Sequence, residues 1–342
     1  MPVTVVLTSD FDHLSEVAAD LLVERIQRGV ATRARFTLGL ATGDTPTGVY
    51  KWLAKAANAG EFDASLVTSF NLDEYVGLPG GNAQARVLHP QSYGFFMIQE
   101  LFGLLRTKFA TTHVPWGCLI DQPALIAELA AYPQDWTELG TGRGRSIVID
   151  PGTSSPLLRW VRAEVLDAYR ATVDAAGGID LQIIGAGGRG HVAFHESGIP
   201  FGDSGMLLVR LDDTTVADAV ADGHFATEAD SPRYAISMGA ELVYQARTVV
   251  LLAHGPRKAT PVAASLLEEV SDAVPISFGR RYADAGGELL YVLDTAAAAG
   301  LRPHLQELAD RGVVIDDRSH QRASRAVAEL TFHRDPQRRA LG

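Results

Sequence analysis

The sequence predicts an α/β fold, an open and mostly parallel sheet with helices on both faces in the Rossmann-like manner of sugar-phosphate isomerases. Two observations carry this expectation. Short, continuously apolar runs recur along the chain, as strands covered on both faces require. Longer stretches of helical periodicity lie between them, which is the βαβ rhythm of a parallel sheet.

Taken in order, Val3–Leu7 reads as the first strand and Leu14–Arg28 as an amphipathic helix. Phe36–Leu40, Val67–Asn71, Leu181–Ile184, Thr248–Leu252 and Leu289–Leu293 read as further buried strands. Leu157–Thr172 and Ala259–Val270 supply helical connections. The rhythm breaks near 115–145, where Pro115, Pro123, Pro133, Gly140, Gly142 and Gly144 surround a short helical piece, Ala124–Ala131. This segment reads as an insertion. The tail is rich in charge and alanine, with helical stretches at Arg302–Arg311 and Ser319–Leu330. The expected organisation is one α/β domain over 1–297, followed by a helical C-terminal extension, 298–342.

Composition narrows the class. The chain has 342 residues, 46% hydrophobic and 21% charged, which suits a globular domain with an ordinary core. A formal net charge of −11 argues against general affinity for nucleic acid or anionic membranes. No apolar run approaches the roughly 20 residues that span a bilayer. Cys118 is the only cysteine, so neither an internal disulfide nor a cysteine-based zinc site is available. Met1-Pro2-Val3-Thr4 lacks the segments of a signal peptide, and the cytoplasm is the expected location.

Ligands of open parallel sheets bind outside the carboxyl ends of the strands, and three ends here carry unusual residues. After Phe36–Leu40 comes Ala41-Thr42-Gly43-Asp44-Thr45-Pro46-Thr47-Gly48, a tight turn into a helix. It reads as an ordinary strand-to-helix turn or as an anion cradle of backbone N–H groups and threonine hydroxyls. After Val67–Asn71 come Leu72-Asp73-Glu74-Tyr75, adjacent carboxylates that suit a solvated turn or, if withdrawn from water, a general base. After Leu181–Ile184 comes Gly185-Ala186-Gly187-Gly188-Arg189-Gly190-His191-Val192-Ala193-Phe194-His195-Glu196. Its glycines let the backbone approach a ligand, and His191 with Glu196 suits an oriented acid–base pair. A metal site of His191, His195 and Glu196 is the weaker alternative, because the spacing is not that of helical zinc peptidases.

Together and in order, these segments resemble the glucosamine-6-phosphate deaminase/isomerase family, whose wider group includes the 6-phosphogluconolactonases. Thr42-Gly43-Asp44-Thr45-Pro46 is similar to the family's sugar-phosphate turn, and Phe70-Asn71-Leu72-Asp73-Glu74-Tyr75-Val76-Gly77-Leu78 to its most characteristic segment. His89-Pro90-Gln91-Ser92-Tyr93, Gly190-His191-Val192-Ala193-Phe194-His195-Glu196, Pro232-Arg233-Tyr234-Ala235-Ile236-Ser237-Met238-Gly239 and Lys258-Ala259 complete the series. The resemblance implies that His191, held by Glu196, opens a cyclic amino-sugar phosphate at C1. Asp73 then moves a proton between C2 and C1, and ammonia leaves C2. It implies substrate contacts at Thr42, Gly43, Thr45 and Lys258, no metal or organic cofactor, and a homo-oligomer as the expected assembly. Asp44 and Arg189, which stand in the same two loops but depart from the family, are expected at the substrate as well.

The departures also carry expectations. The family's aspartate two residues before the loop histidine is Arg189 here, and a cation there should lower the imidazole's pKa. Its phosphate-binding arginine aligns with Thr215, after Asp213-Thr214, and Asp44 replaces a glycine of the phosphate turn. Arg189 is therefore expected to meet an anion of the substrate or to pair with Asp44, altering the substrate. The loop Ser197-Gly198-Ile199-Pro200-Phe201 lacks the serines and arginine of the allosteric site in some members, so activation there is not expected. Competing readings are a sugar isomerase or lactonase without deamination, and an inactive sugar-binding paralogue.

Overall fold

The computed structural model describes residues 3–202, 205–221 and 223–332. Thirteen strands are seen among them: β1 (Thr4–Thr8), β2 (Phe36–Leu40), β3 (Val67–Asn71), β4 (Asp73–Val76), β5 (Thr111–His113), β6 (Trp136–Leu139), β7 (Arg145–Ile149), β8 (Leu181–Gly185), β9 (Met206–Arg210), β10 (Tyr234–Met238), β11 (Thr248–Ala253), β12 (Glu288–Asp294) and β13 (Val314–Asp317). Eight form a sheet in the order β13-β1-β12-β11-β8-β2-β3-β5, every neighbouring pair parallel. The other five form an antiparallel sheet, β4-β10-β9-β7-β6.

The main sheet follows from its sequence. The strands β2 and β11 are buried at every position, so their backbones pair internally and their apolar side chains meet helices on both faces. The helix Phe11–Arg33 starts where the Asp10 carboxylate accepts the His13 amide, and ends at Ala34 in the left-handed region, φ 55°. Leu14, Leu22 and Ile26 from this helix join Tyr50, Leu53, Leu251 and Tyr291 in one continuous core. Pro156–Trp160, Val161–Asp167 and Ala168–Ala175 run on as one helical stretch with π-register turns in its middle, where Leu157–Thr172 was expected. None of the helices among the described residues is long and apolar enough to cross a membrane.

Two expectations are corrected and one is refined. The segment near 115–145 does leave the parallel sheet, and it joins the second one: it contributes β6 and the helix Gln122–Ala131, whose Leu125 and Leu129 share a cluster with Ile147, Leu208 and Ile236 of the second sheet. The Leu72–Tyr75 segment is no solvated turn. Only Leu72 separates β3 from β4, and the chain steps there from one sheet to the other. Finally, Ser319–Leu330 is not a helix and holds a single tight turn, Val327–Glu329. Its amides serve other partners: Ser324 donates to Glu16 and Val327 to Asp12, strapping the segment across the first helix. Before it, Val314–Asp317 adds β13 to the parallel sheet, while Leu305–Asp310 is helical as read. Residues 333–342 of the extension lie outside the described residues.

Candidate active site

The chain runs outward from β2 to β3 on one side and from β8 to β11 on the other, so strand order reverses between β2 and β8. The crevice outside the carboxyl ends at such a switch point is the expected ligand site. The Thr42–Thr45 turn leaves β2 there, the glycine-rich loop leaves β8, and Lys258 follows β11 at the start of the helix Ala259–Leu267.

The first turn is built for close approach. Gly43 has φ 99°, and the space a side chain would fill there is open. The backbone at the start of the helix Thr47–Ala59 receives no hydrogen bond from a capping side chain. Asp44 is exposed, and its carbonyl accepts both the amide and the hydroxyl of Thr47.

Asp73 opens β4 and is 5% exposed. Burial, and next the neighbouring Glu74 carboxylate, hold its carboxyl well above the usual range. Glu74 is anchored instead, accepting the Ser92 hydroxyl at 2.8 Å and the amides of Tyr75, Tyr93 and Gly94 at 2.9 to 3.1 Å. Those bonds tie β4 to the helix Tyr93–Met97 and fix the strand that carries Asp73. The hydroxyls of Tyr75 and Tyr93 lie within electrostatic reach of Asp73.

The loop after β8 turns back on itself through Gly187 N–H to the His191 carbonyl and Gly190 N–H to the Gly187 carbonyl, both 3.0 Å. The His191 ring lies against Gly187, where any side chain would collide with it. Nδ1 of His191 stands 3.7 Å from Oε2 of Glu196, which is 1% exposed and makes no hydrogen bond through that oxygen. Burial pushes the imidazole below its ordinary pKa; Glu196 opposes this, while Lys258 and Arg189 add to it. His195 is committed elsewhere: Nδ1 accepts the Ala240 amide and Nε2 donates to the Ile199 carbonyl, while burial lowers its pKa to about 4 against the opposing pull of the Ile199 bond. Neither nitrogen is left for the metal site weighed above.

The aromatic rings join the two halves. Phe194, three residues past His191, stacks on Tyr93 at 5.9 Å and meets Tyr75 at 5.2 Å, two residues past Asp73. The Tyr75 hydroxyl accordingly feels Asp73, Glu74 and Glu196 together. Arg189 does not meet Asp44; its Nη2 lies 2.5 Å from Oδ2 of Asp212, just beyond β9. Thr215 sits on the helix Asp213–Ala221. The sequence reading missed Asp212 and Ser92, although Ser92 lies in a quoted motif and Asp212 immediately precedes the Asp213-Thr214 that was quoted.

No family model matches the chain. Curated relatives do: the glucosamine-6-phosphate deaminase of Shewanella loihica is 32% identical over 299 residues, covering 87% of this chain and 89% of the relative. That of Rhodopirellula baltica is 33% identical, covering 86% of this chain and 94% of the relative. Among solved structures, a monomeric glucosamine-6-phosphate deaminase aligns with a TM-score of 0.64 at 23% identity, covering 87% of this chain and 99% of its own. The 6-phosphogluconolactonase of Trypanosoma brucei aligns at 0.53 with 16% identity, covering 88% and 99%, a likeness of fold alone. With identity spread along nearly the whole of both chains, this protein belongs to the glucosamine-6-phosphate deaminase family.

Proposed function

We propose that the protein converts an amino-sugar phosphate of the glucosamine-6-phosphate type into the ketose phosphate and ammonia. The carrying observation is the site itself: a buried carboxylate of raised basicity, Asp73, joined through Tyr75 and Phe194 to partly buried His191 and its buried partner Glu196. Neutral His191 takes the proton of the C1 hydroxyl and returns one to the ring oxygen, and Glu196 stabilises the imidazolium between the two transfers. The open chain presents an aldehyde at C1 and the amine at C2. Asp73 removes the C2 proton while the C1 oxygen is protonated, giving an enolamine. It then delivers that proton to C1 as the amine gives up one of its own, which leaves an imine at C2. Water adds there, and ammonia departs. Amides and hydroxyls of the Thr42–Thr45 turn, with Lys258, receive the phosphate. Asp44 points to solvent and leaves that turn open to an anion.

A homo-oligomer in the cytoplasm remains part of the proposal. The single thiol suits a reducing compartment, and exposed Trp116 and Leu119 are side chains a subunit interface would cover. The test is stoichiometric release of ammonia and ketose phosphate from glucosamine-6-phosphate, set beside hydrolysis of 6-phosphogluconolactone. Turnover of the lactone alone would overturn the reading.

A further inference from the structure

We propose that Arg189 is a positioning residue: through its ion pair with Asp212 it fixes the Glu196 carboxylate against His191, and it does not hold substrate. The inference rests on the reading of His191 and Glu196 as the ring-opening pair, and it gives the charge reversal at position 189 a role inside the protein.

The pair is asymmetric. The Asp212 side chain is wholly buried, whereas that of Arg189 is 45% exposed. A carboxylate so withdrawn from water is strongly disfavoured unless a cation and hydrogen bonds meet it. Here Arg189 takes Oδ2 and the Thr214 amide takes Oδ1, at 2.8 Å. The guanidinium that neutralises Asp212 is therefore already engaged, and moving it onto a ligand would strand a buried anion.

Asp212 in turn reaches the catalytic pair. Its amide donates to Oε1 of Glu196 at 3.3 Å, leaving Oε2 to face His191. On the other side Gly144 presses against Glu196, and a side chain there would come within 2.6 Å of its Cβ and Cγ. The Ser197 hydroxyl donates to the Arg189 carbonyl at 3.4 Å, so the residue after Glu196 is tied to the same arginine. The link runs from the loop after β8 to the end of β9 and back, and it spans both sheets. The charged groups acting on His191 are Glu196 and Asp218, which raise its pKa, and Lys258 and Arg189, which lower it.

The test compares the full-length wild type with Arg189→Ala, Asp212→Asn, the double variant and Arg189→Lys. It uses steady-state ammonia release and NMR titration of His191 in the substrate-free protein. Each single loss should lower kcat about 10- to 100-fold with KM within about threefold. The double variant, which strands no charge, should be no worse than either single one. Arg189→Lys should recover most of the rate. The His191 midpoint should fall in Arg189→Ala, because losing the fixed Glu196 carboxylate, its strongest charged neighbour, outweighs losing the guanidinium's own charge. A guanidinium that acted on His191 only as a nearby cation would leave a higher midpoint when removed. If Arg189→Ala does not fold, the double variant and Arg189→Lys carry the same comparison. A large rise in KM at unchanged kcat for Arg189→Ala, with Asp212→Asn unaffected, would make Arg189 a substrate ligand and overturn the inference. If the wild type releases no ammonia, the proposed activity fails by itself, and the titration still decides: a His191 midpoint that stays fixed or rises in Arg189→Ala overturns the positioning role.

Discussion

The chain passes most directly between the two sheets at Leu72, and the sheets differ in how they are covered. The inner strands of the parallel sheet are sealed between helices and mostly apolar, as β11 shows, while its edge strands β5 and β13 are partly exposed. Strands of the antiparallel sheet send alternate residues into separate clusters: Ile236 of β10 packs with Leu208, and Ala235 with Val209. At the far edge β6 is largely exposed. The parallel sheet supplies loops, and through them His191, Glu196, Lys258 and the Thr42–Thr45 turn. The antiparallel sheet supplies Asp73 and Glu74, and the loop beyond β9 supplies Asp212. Neither sheet holds a working set alone, so substitutions should matter most at the seam and fade toward the outer edge.

The largest effect is expected at Asp73. Asp73→Asn should lower turnover by about 10²- to 10⁴-fold, measured as ammonia release. It should also leave the fold at least as stable at neutral pH. The carboxyl's folded pKa is raised, so between the ordinary value of 3.8 and that raised value the folded state holds a proton the unfolded state has lost. Stability falls as pH rises through this window, and the amide variant escapes the loss. Denaturant titrations should therefore favour Asp73→Asn at pH 7 and converge with the wild type below pH 3.8. Near-normal turnover would remove Asp73 from the mechanism.

Glu74→Ala should come next, as a structural rather than a chemical loss. It strands the buried donors of Ser92, Tyr93 and Gly94, and about 3–5 kcal/mol of stability should go with them. An unchanged denaturation midpoint would show that the seam is held some other way. The smallest effect belongs to the outer edge. Val148→Thr, at a side chain 43% exposed, should change stability by no more than about 0.5 kcal/mol and leave turnover intact. A large loss of activity there would break the contrast between seam and periphery.

The same contrast explains what could be read from the sequence. The buried parallel strands were legible to within a residue at either end, because burial on both faces leaves an unbroken apolar run in Phe36–Leu40 or Thr248–Ala253. The antiparallel strands carry no such mark. β10, Tyr234–Met238, is covered on both faces yet includes Ser237, whose hydroxyl accepts the Phe194 amide of the catalytic loop. Ser319–Leu330 has helical composition, but Glu16 and Asp12 compete for its amides. At the site, Asp73, His191 and Glu196 stood out because each follows a readable strand. Asp212 did not, since its meaning lies in Arg189, 23 residues earlier and on the other sheet. Before Asp213-Thr214 it looks like any helix cap.

The place of β1 has a consequence for how the molecule comes into being. Its sheet neighbours are β12 on one side and β13 on the other. The Thr8 hydroxyl donates to a carbonyl 285 positions further along, and the Asp12 carboxylate accepts an amide 315 positions away. On the ribosome, the first strand to emerge therefore has no native partner until residues 288–317 have been made. Contacts of such sequence separation form slowly, so the nascent chain carries an unpaired strand edge through most of its synthesis. The helix bearing the anion turn waits as well. Gly48, in its first turn, packs beside Val327, so this end of the candidate site is completed only after residue 327 has been made.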